Sequence, residues 1–221
     1  NVSSAASDVY KRQATQCLSA YSARTAHPIL SAMTDQDSTV PSETDPQTPD
    51  SVQAPSFQQA MEIAAIWLQQ WDQEEISDEV IADRVGELVA SRDGARGFFV
   101  ISLAGDSALM DRLPEALVGK LRSCGEGVVD LTVRNLAMSA AMVVHHRKQS
   151  DDLQAAGSER VNLRCTELLR QLEPHSVKAR LETLLAAASN NQGSDVAFLE
   201  RWEYDANQKT AIARAVDAVA D

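Results

Sequence analysis

The sequence predicts an all-α fold, a single irregular bundle of roughly seven to nine helices preceded by a disordered N-terminal tail. Apolar residues recur three and four positions apart through most of residues 56–221, which lines up one face of a helix. Serine or aspartate precedes most of these apolar segments, as expected of helix N-caps. No two strand-like segments of comparable strength could pair to form a sheet.

A helical hairpin is predicted between residues 128 and 172. Its two apolar stripes are Val129, Val133, Leu136, Ala140 and Val143, then Leu153, Gly157, Val161, Cys165, Leu168 and Leu172. The polar residues 145–152 separate them, with cations ending the first helix and Ser150, Asp151 and Asp152 opening the second. We therefore expect Ser150 to cap the second helix. The rival interpretation is one continuous helix of roughly 45 residues, in which 145–152 form solvated turns.

The first three helices are predicted from caps, breakers and composition. Ser56 caps a helix that ends near Gln70, and Ser77 opens a second that Asp93-Gly94 ends. Residues 98–103, FFVISL, favour a strand by composition, but a lone strand would leave backbone groups unpaired, so we expect a buried helix.

Further helices are predicted on either side of the hairpin. Leu113-Pro114 starts a short helix that reaches Ser123. After the break at Glu173-Pro174, the predicted first residues or caps of three more helices are Ser176, Ser194-Asp195 and Asp205.

The N-terminal residues are expected to lie outside the fold. Residues 2–13, VSSAASDVYKRQ, resemble translated sequencing-adaptor sequence, so residues 1–32 are interpreted as non-native, with native translation starting at Met33. The alternative is an organelle transit peptide, because residues 9–34 contain no acid. Residues 33–55 are rich in proline, serine, threonine and acid, which predicts a disordered tail. The predicted helical domain is 56–221.

Composition narrows the possible partners. The net charge is −12, and residues 56–93 hold nine acids against Arg84 and Arg92, so nucleic acid is disfavoured. The most apolar run, 136–144, is too short to span a membrane, and no span is predicted. Three cysteines without a CxxC motif indicate a reducing compartment. We expect a soluble, acidic, cytoplasmic protein.

The search for chemistry yields no catalytic motif, and no cofactor or metal is predicted, so an enzyme is the less favoured class. Gly105-Asp106-Ser107 after FFVISL could mimic a strand-to-turn site, but no second element supports it. His145 and His146 could bind a metal or haem, yet adjacent positions differ by about 100° around a helix, so a cationic C-terminal turn with Arg147 is favoured.

Two function hypotheses follow. The leading one is a non-enzymatic interaction or assembly factor, because Trp67 and Trp71 beside Glu74 and Glu75 suggest an exposed aromatic pair. The alternative is a small-ligand or cofactor-binding protein with a pocket near Arg134 and His146. A second interpretation of Arg134 is structural, as a buried arginine paired with Asp130, Glu159 or Glu167.

Three segments carry a resemblance to a family. Residues 133–149 (VRNLAMSAAMVVHHRKQ), 155–161 (AAGSERV) and 198–205 (FLERWEYD) resemble an uncharacterised helical protein family of cyanobacteria with plastid relatives. The resemblance covers about residues 57–205 and consists of packing segments without catalytic signatures. It implies a cyanobacterial cytoplasm or plastid stroma, and a role close to photosynthetic assembly.

Overall fold

The computed structural model describes residues 54–220, which form ten α-helices and, within this range, no strand. The helices are α1 (Phe57–Asp72), α2 (Asp78–Val89), α3 (Arg92–Ala104), α4 (Leu109–Arg112), α5 (Glu115–Ser123), α6 (Glu126–Lys148), α7 (Asp152–Gln171), α8 (Pro174–Asn190), α9 (Val196–Arg201) and α10 (Ala206–Ala220). The all-α prediction is confirmed, and α4 is a helix that the sequence did not predict. The predictions for residues 1–53 lie outside the described part.

The predicted first caps are present. Ser56 accepts a hydrogen bond from the Gln59 backbone while the Gln59 side chain accepts from the Ser56 backbone, which forms a capping box. Ser77 accepts from the Val80 backbone, and Asp205 caps α10 through the Gln208 backbone. Residues 98–103 are helical and lie inside α3, as predicted.

Three predicted boundaries were wrong, and a fourth was right but lacks the expected side-chain capping bond. The second helix ends at Val89, and Asp93-Gly94 lies in the first turn of α3 instead. The cap of α7 is Asp151, which accepts from the Gln154 backbone, because Ser150 adopts a left-handed φ of 57°. The remaining two concern α8, which Glu173 caps in place of Ser176, and α9, whose cap Asp195 makes no side-chain capping bond.

The helical hairpin is confirmed. The chain reverses between α6 and α7, and these two helices pack along each other more extensively than any other pair. The prediction for the second stripe was wrong at its start, because Leu153 is 72% exposed, whereas Cys165, Leu168 and Leu172 are buried. The buried face of α7 therefore begins at Ala155 rather than at Leu153.

The helices form a front half and a back half. The front half comprises α1, α2, α3 and α5, and the back half comprises α6, α7, α8 and α10. Helix α7 joins them, since it also contacts α3 and α4. In the front half α1 and α3 run parallel: Phe57 lies under Arg96, and at the other end Asp72 accepts from Ser107, just after α3. Gly97 permits this close packing, because an added Cβ would lie 2.6 Å from the Cβ of Ala60.

Helix α6, with 23 residues, is the longest helix of the described part. By length and composition alone it could cross a membrane, but 67% of its apolar window is buried inside the fold. Residues 136–142 are all buried. This burial is what a core helix of a bundle shows, in agreement with the prediction that 136–144 is a core segment.

Candidate functional site

Arg134 lies on α6 and is engaged by neighbouring side chains. Its Nε donates to Asp130 Oδ2 at 2.9 Å, and its guanidinium lies 5.2 Å from the centre of the Phe198 ring. Of the three acids predicted as ion-pair partners of Arg134, which were Asp130, Glu159 and Glu167, Asp130 is the one that pairs with it. The prediction that Arg134 is buried was wrong, because 30% of its side chain is exposed.

Asp130 also connects Arg134 to a network that the sequence did not predict. Arg180 on α8 donates to Asp130 Oδ1 at 2.7 Å and to both carboxylate oxygens of Asp195. Burial alone would raise the pKa of Asp130, but the hydrogen bond from Arg180 and the charges of both arginines outweigh it, so the pKa is lowered. The network joins α6, α8 and the start of α9.

The buried arginine of this protein is Arg164 on α7. Its Nη1 donates to the carbonyls of Ser102, Leu103 and Gly105, at 2.8–3.0 Å. The remaining donors reach the Ser107 carbonyl and both oxygens of Asp111. Hydrogen bonding from Arg164 lowers the pKa of the Asp111 carboxyl. Arg164 thereby caps the C-terminus of α3 and attaches it to the back half.

The Gly105-Asp106-Ser107 segment has a structural role. The Gly105 carbonyl accepts from Arg164, and Asp106 pairs with Arg160 at 2.9 Å. The Ser107 hydroxyl donates to Asp72 Oδ1 at 3.1 Å. Each polar group therefore connects this turn to α1 or α7, which agrees with the unfavoured status of a catalytic turn here.

His145, His146 and Arg147 lie in the last turn of α6, as predicted. His146 is 5% exposed, and its ring centre is 5.5 Å from that of His145. Burial and the neighbouring His145 lower the pKa of His146, while Asp151 opposes that shift. Arg147 forms an ion pair with Glu159 on α7. Among the described residues no group of three or more potential ligands could hold a metal ion.

Arg134 and His146 are not brought together. Twelve residues separate them on one helix, which corresponds to about 18 Å along the axis. A compact pocket that is lined by both side chains is therefore not formed.

Trp67 and Trp71 lie on α1 in different environments. Trp71 is 7% exposed, donates to Asp78 Oδ1 at 2.7 Å and lies under Arg112 at 5.3 Å. Its prediction as one of an exposed pair was wrong. Trp67 is half-buried, with the Arg84 guanidinium 5.7 Å from its ring centre. Arg84 also donates to the Gln70 side chain at 2.9 Å, so it is held across α1 and α2.

Exposed apolar residues accompany Trp67. Ile66, the preceding residue of α1, is 49% exposed, and Val80, one turn before Arg84 on α2, is 40% exposed. Val80 and Arg84 share one side of α2, and Arg84 lies over Trp67, so these three residues form one surface across the two helices. Ile66 lies about 100° from Trp67 around α1 and borders this surface. We call it the α1–α2 face, and it consists of Ile66, Trp67, Val80 and Arg84. The different burial of Trp67 and Trp71 could not be predicted from the sequence pattern of α1. Ile66, however, lies outside the apolar stripe of this helix, and that position was a visible signal of an exposed apolar residue.

A second pair of exposed apolar residues lies on α7. Leu153 is 72% exposed and Leu163 is 61% exposed. The charged residues along this helix, Arg160 and Glu167, pair with Asp106 and Arg170. This surface therefore offers apolar side chains among charges that are already paired.

Comparison with other proteins gives the family alone. No curated protein and no solved structure shows significant similarity to the chain. A family model matches residues 56–219, which is the whole helical part from the cap of α1 almost to the end of α10. The chain therefore belongs to the family described as uncharacterised conserved protein UCP020893.

Proposed function

We propose that the chain is a non-enzymatic interaction or assembly factor that binds another protein through the α1–α2 face. The observation that carries this proposal is the exposure of Ile66 on α1 and Val80 on α2, together with the contact between Trp67 and Arg84 that joins the two helices. Tryptophan and arginine are the residue types most enriched at the energetic centres of protein interfaces. Apolar side chains around them would lose water contact on binding, which favours association.

The front half is suited to presenting this face rigidly. Helices α1 and α3 pack closely at Gly97, and Trp71 and Asp78 connect α1 to the start of α2. A surface on rigid helices loses little conformational entropy on binding. The face would therefore be available without rearrangement of the bundle.

The small-ligand alternative has less support. Arg134 is already paired with Asp130 and lies over Phe198, and His146 lies about 18 Å away along α6. No anionic ligand is needed to compensate the Arg134 charge.

The proposed cellular setting is a cyanobacterial cytoplasm or a plastid stroma, with a role in assembling photosynthetic machinery. Its support is the resemblance of residues 133–149, 155–161 and 198–205 to a cyanobacterial and plastid family. The partner is accordingly sought in cells of that kind.

The test is capture of partners from a cyanobacterial host by the tagged full chain and two double variants. The first, Ile66→Ser with Val80→Ser, alters the α1–α2 face. The second, Leu153→Ser with Leu163→Ser, removes two apolar side chains of α7 that are more exposed than Ile66 and Val80, and it serves as the matched control. We expect specific partners with the wild type and the control, and a loss of about tenfold or more with the face variant, corresponding to about 1.4 kcal/mol. Equal capture by all three chains, or capture of nothing, would contradict the proposal.

A further inference from the structure

We infer that the segment bound by the α1–α2 face is a cationic amphipathic helix of another protein. This inference rests on the proposed function and adds the chemistry of the partner. It follows from the negative charge of α1 and α2 and from which of their carboxylates have partners within the fold.

The charge around the face is almost entirely negative. Residues 57–89, which span α1 and α2, contain eight acids and a single basic residue, Arg84. Arg84 already has partners within the fold, because its guanidinium lies over the Trp67 ring and donates a hydrogen bond to the Gln70 side chain. The cation at the centre of the face is thus held against an aromatic ring, and the charge presented to a partner is acidic.

Three of these eight acids have structural roles. Asp72 accepts from Ser107 and the Ala108 backbone, Asp78 accepts from Trp71, and Asp83 pairs with Lys120 at 2.8 Å. The other five form no ion pair within the described residues, and all are exposed: Glu62, Glu74, Glu75, Glu79 and Glu87. Of these five, Glu79 accepts a hydrogen bond from Ser77, and Glu87 lies near enough to Lys120 to raise the pKa of that lysine. The acids of α1 and α2 still outnumber the single basic residue of these helices, so a cationic partner would be attracted to them.

The carboxylates lie beside the apolar centre rather than on a remote surface. Glu62 precedes Ile66 by one helical turn, and Glu79 adjoins Val80 in sequence. Glu87 follows Val80 by two turns on the same side of α2. An apolar centre with an acidic rim is the complement of a helix that has apolar residues on one side and lysine or arginine along its edges.

Other classes of macromolecule fit this face less well. Nucleic acids and anionic lipid surfaces would meet like charge across the whole rim. An acidic peptide would meet the same repulsion. The cationic helix is the occupant that satisfies both the apolar centre and the rim.

The test uses a synthetic 18-residue helical peptide of leucine and lysine, and a matched peptide of leucine and glutamate. Binding of each to the full chain is measured by titration calorimetry at about 50 mM and about 200 mM salt. We expect the lysine peptide to bind, with weaker affinity at the higher salt because the charges are exposed and screened. Binding of both peptides with equal affinity, or of neither, would overturn the inference.

Two matched pairs of variants locate the binding. In the first pair, Glu62→Gln, Glu79→Gln and Glu87→Gln beside the apolar centre (the face variant) are compared with the same change at three exposed acids remote from α1 and α2 in the sequence (the back-half variant), namely Glu182 on α8, Glu200 on α9 and Glu203 after α9. We expect the face variant to bind the lysine peptide at least about tenfold more weakly than the back-half variant. Equal weakening would show unspecific attraction to an acidic protein and overturn the inference.

The second pair tests the apolar centre with the serine variants of Ile66 with Val80 and of Leu153 with Leu163. Only the first should weaken binding. If capture from cells depends on Ile66 and Val80 but the lysine peptide does not bind, the proposed function stands and the partner is not a cationic helix. If neither result depends on the face, both proposals fail.

Discussion

The front and back halves of the bundle use their charges differently. In the back half, ion pairs join different helices: Arg147 of α6 pairs with Glu159 of α7, and Arg180 of α8 with Asp130 of α6. In the front half, the one ion pair between helices among the described residues joins Lys120 of α5 to Asp83 of α2. The other acidic side chains of α1 and α2 mostly extend into solvent.

The difference teaches where to look for function. Charges that hold helices together are satisfied within the fold, and a ligand would have to displace their partners. Charges without a partner cost the isolated protein some repulsion and are available to another molecule. In the back half, the charges of Arg134, Arg147 and Arg180 are thus paired within the fold, and the α1–α2 face is the proposed binding surface.

The largest expected effect concerns Arg164. Replacing it with methionine keeps the apolar stem but leaves Asp111 and four carbonyls without their donor. We expect a loss of about 3–5 kcal/mol in the free energy of unfolding, measured by urea denaturation. The matched front-half change, Arg84→Met, should cost less than about 1 kcal/mol. Similar losses of unfolding free energy in the two variants would contradict the claim that the charges of the two halves have different roles.

The next effect tests the rigidity of the front half. In Gly97→Ala, the new Cβ would lie 2.6 Å from Ala60 Cβ and 2.9 Å from the Met61 backbone nitrogen, so α1 and α3 must separate. We expect a loss of about 1–3 kcal/mol in unfolding free energy. Gly119→Ala on α5 is the control, because the added Cβ meets nothing within 4 Å and should stabilise the helix by about 0.5–1 kcal/mol. A neutral Gly97→Ala would mean that α1 and α3 pack loosely.

A smaller effect is expected at the turn of the hairpin. Ser150 has a φ of 57°, a conformation that glycine adopts without strain, so Ser150→Gly should stabilise the protein by about 0.5–1 kcal/mol. Asp151→Ala should cost about 1 kcal/mol, because it removes the cap of α7. Thermal unfolding of both variants shows whether each one is more or less stable than the wild type. Destabilisation by Ser150→Gly would show that the Ser150 side chain contributes to the turn.

The smallest effect is the pH dependence due to His146. Because its pKa is lowered in the folded state, the unfolded state binds the proton more readily. Stability from this residue is complete above the ordinary value of 6.5 and falls as the pH drops below it, until the folded-state pKa is passed. Urea denaturation at pH 7.5 and 5.5 should show a smaller loss on acidification for His146→Gln than for the wild type.

The helices could be predicted from sequence because their signals are local. The capping serines at 56 and 77 and the polar break before α7 mark where helices begin, whatever packs against them. The wrong boundaries arose where two local signals compete. At the start of α7, Ser150 and Asp151 are both good caps, and the backbone reversal of the hairpin places Ser150 in the left-handed region, which leaves Asp151 as the cap.

The site was harder to predict because exposure and pairing are set by the tertiary fold. Arg164 and Arg134 both lie among apolar residues of the hairpin, and nothing in the sequence says which one α3 covers. The fold brings the end of α3 to α7, so Arg164 is buried and Arg134 remains partly exposed. Trp71 was likewise assigned to the surface, although Asp78 and Arg112 enclose it.

The most direct test of the central claim is a methyl NMR titration of the isotopically labelled full chain with the leucine–lysine peptide. The account predicts that the methyl resonances of Ile66 and Val80 shift progressively to saturation. Those of Leu153 and Leu163, which are at least as exposed, should stay in place. Shifts confined to the α7 leucines, or spread evenly over all four residues, would contradict the claim that the α1–α2 face is the binding surface of this protein.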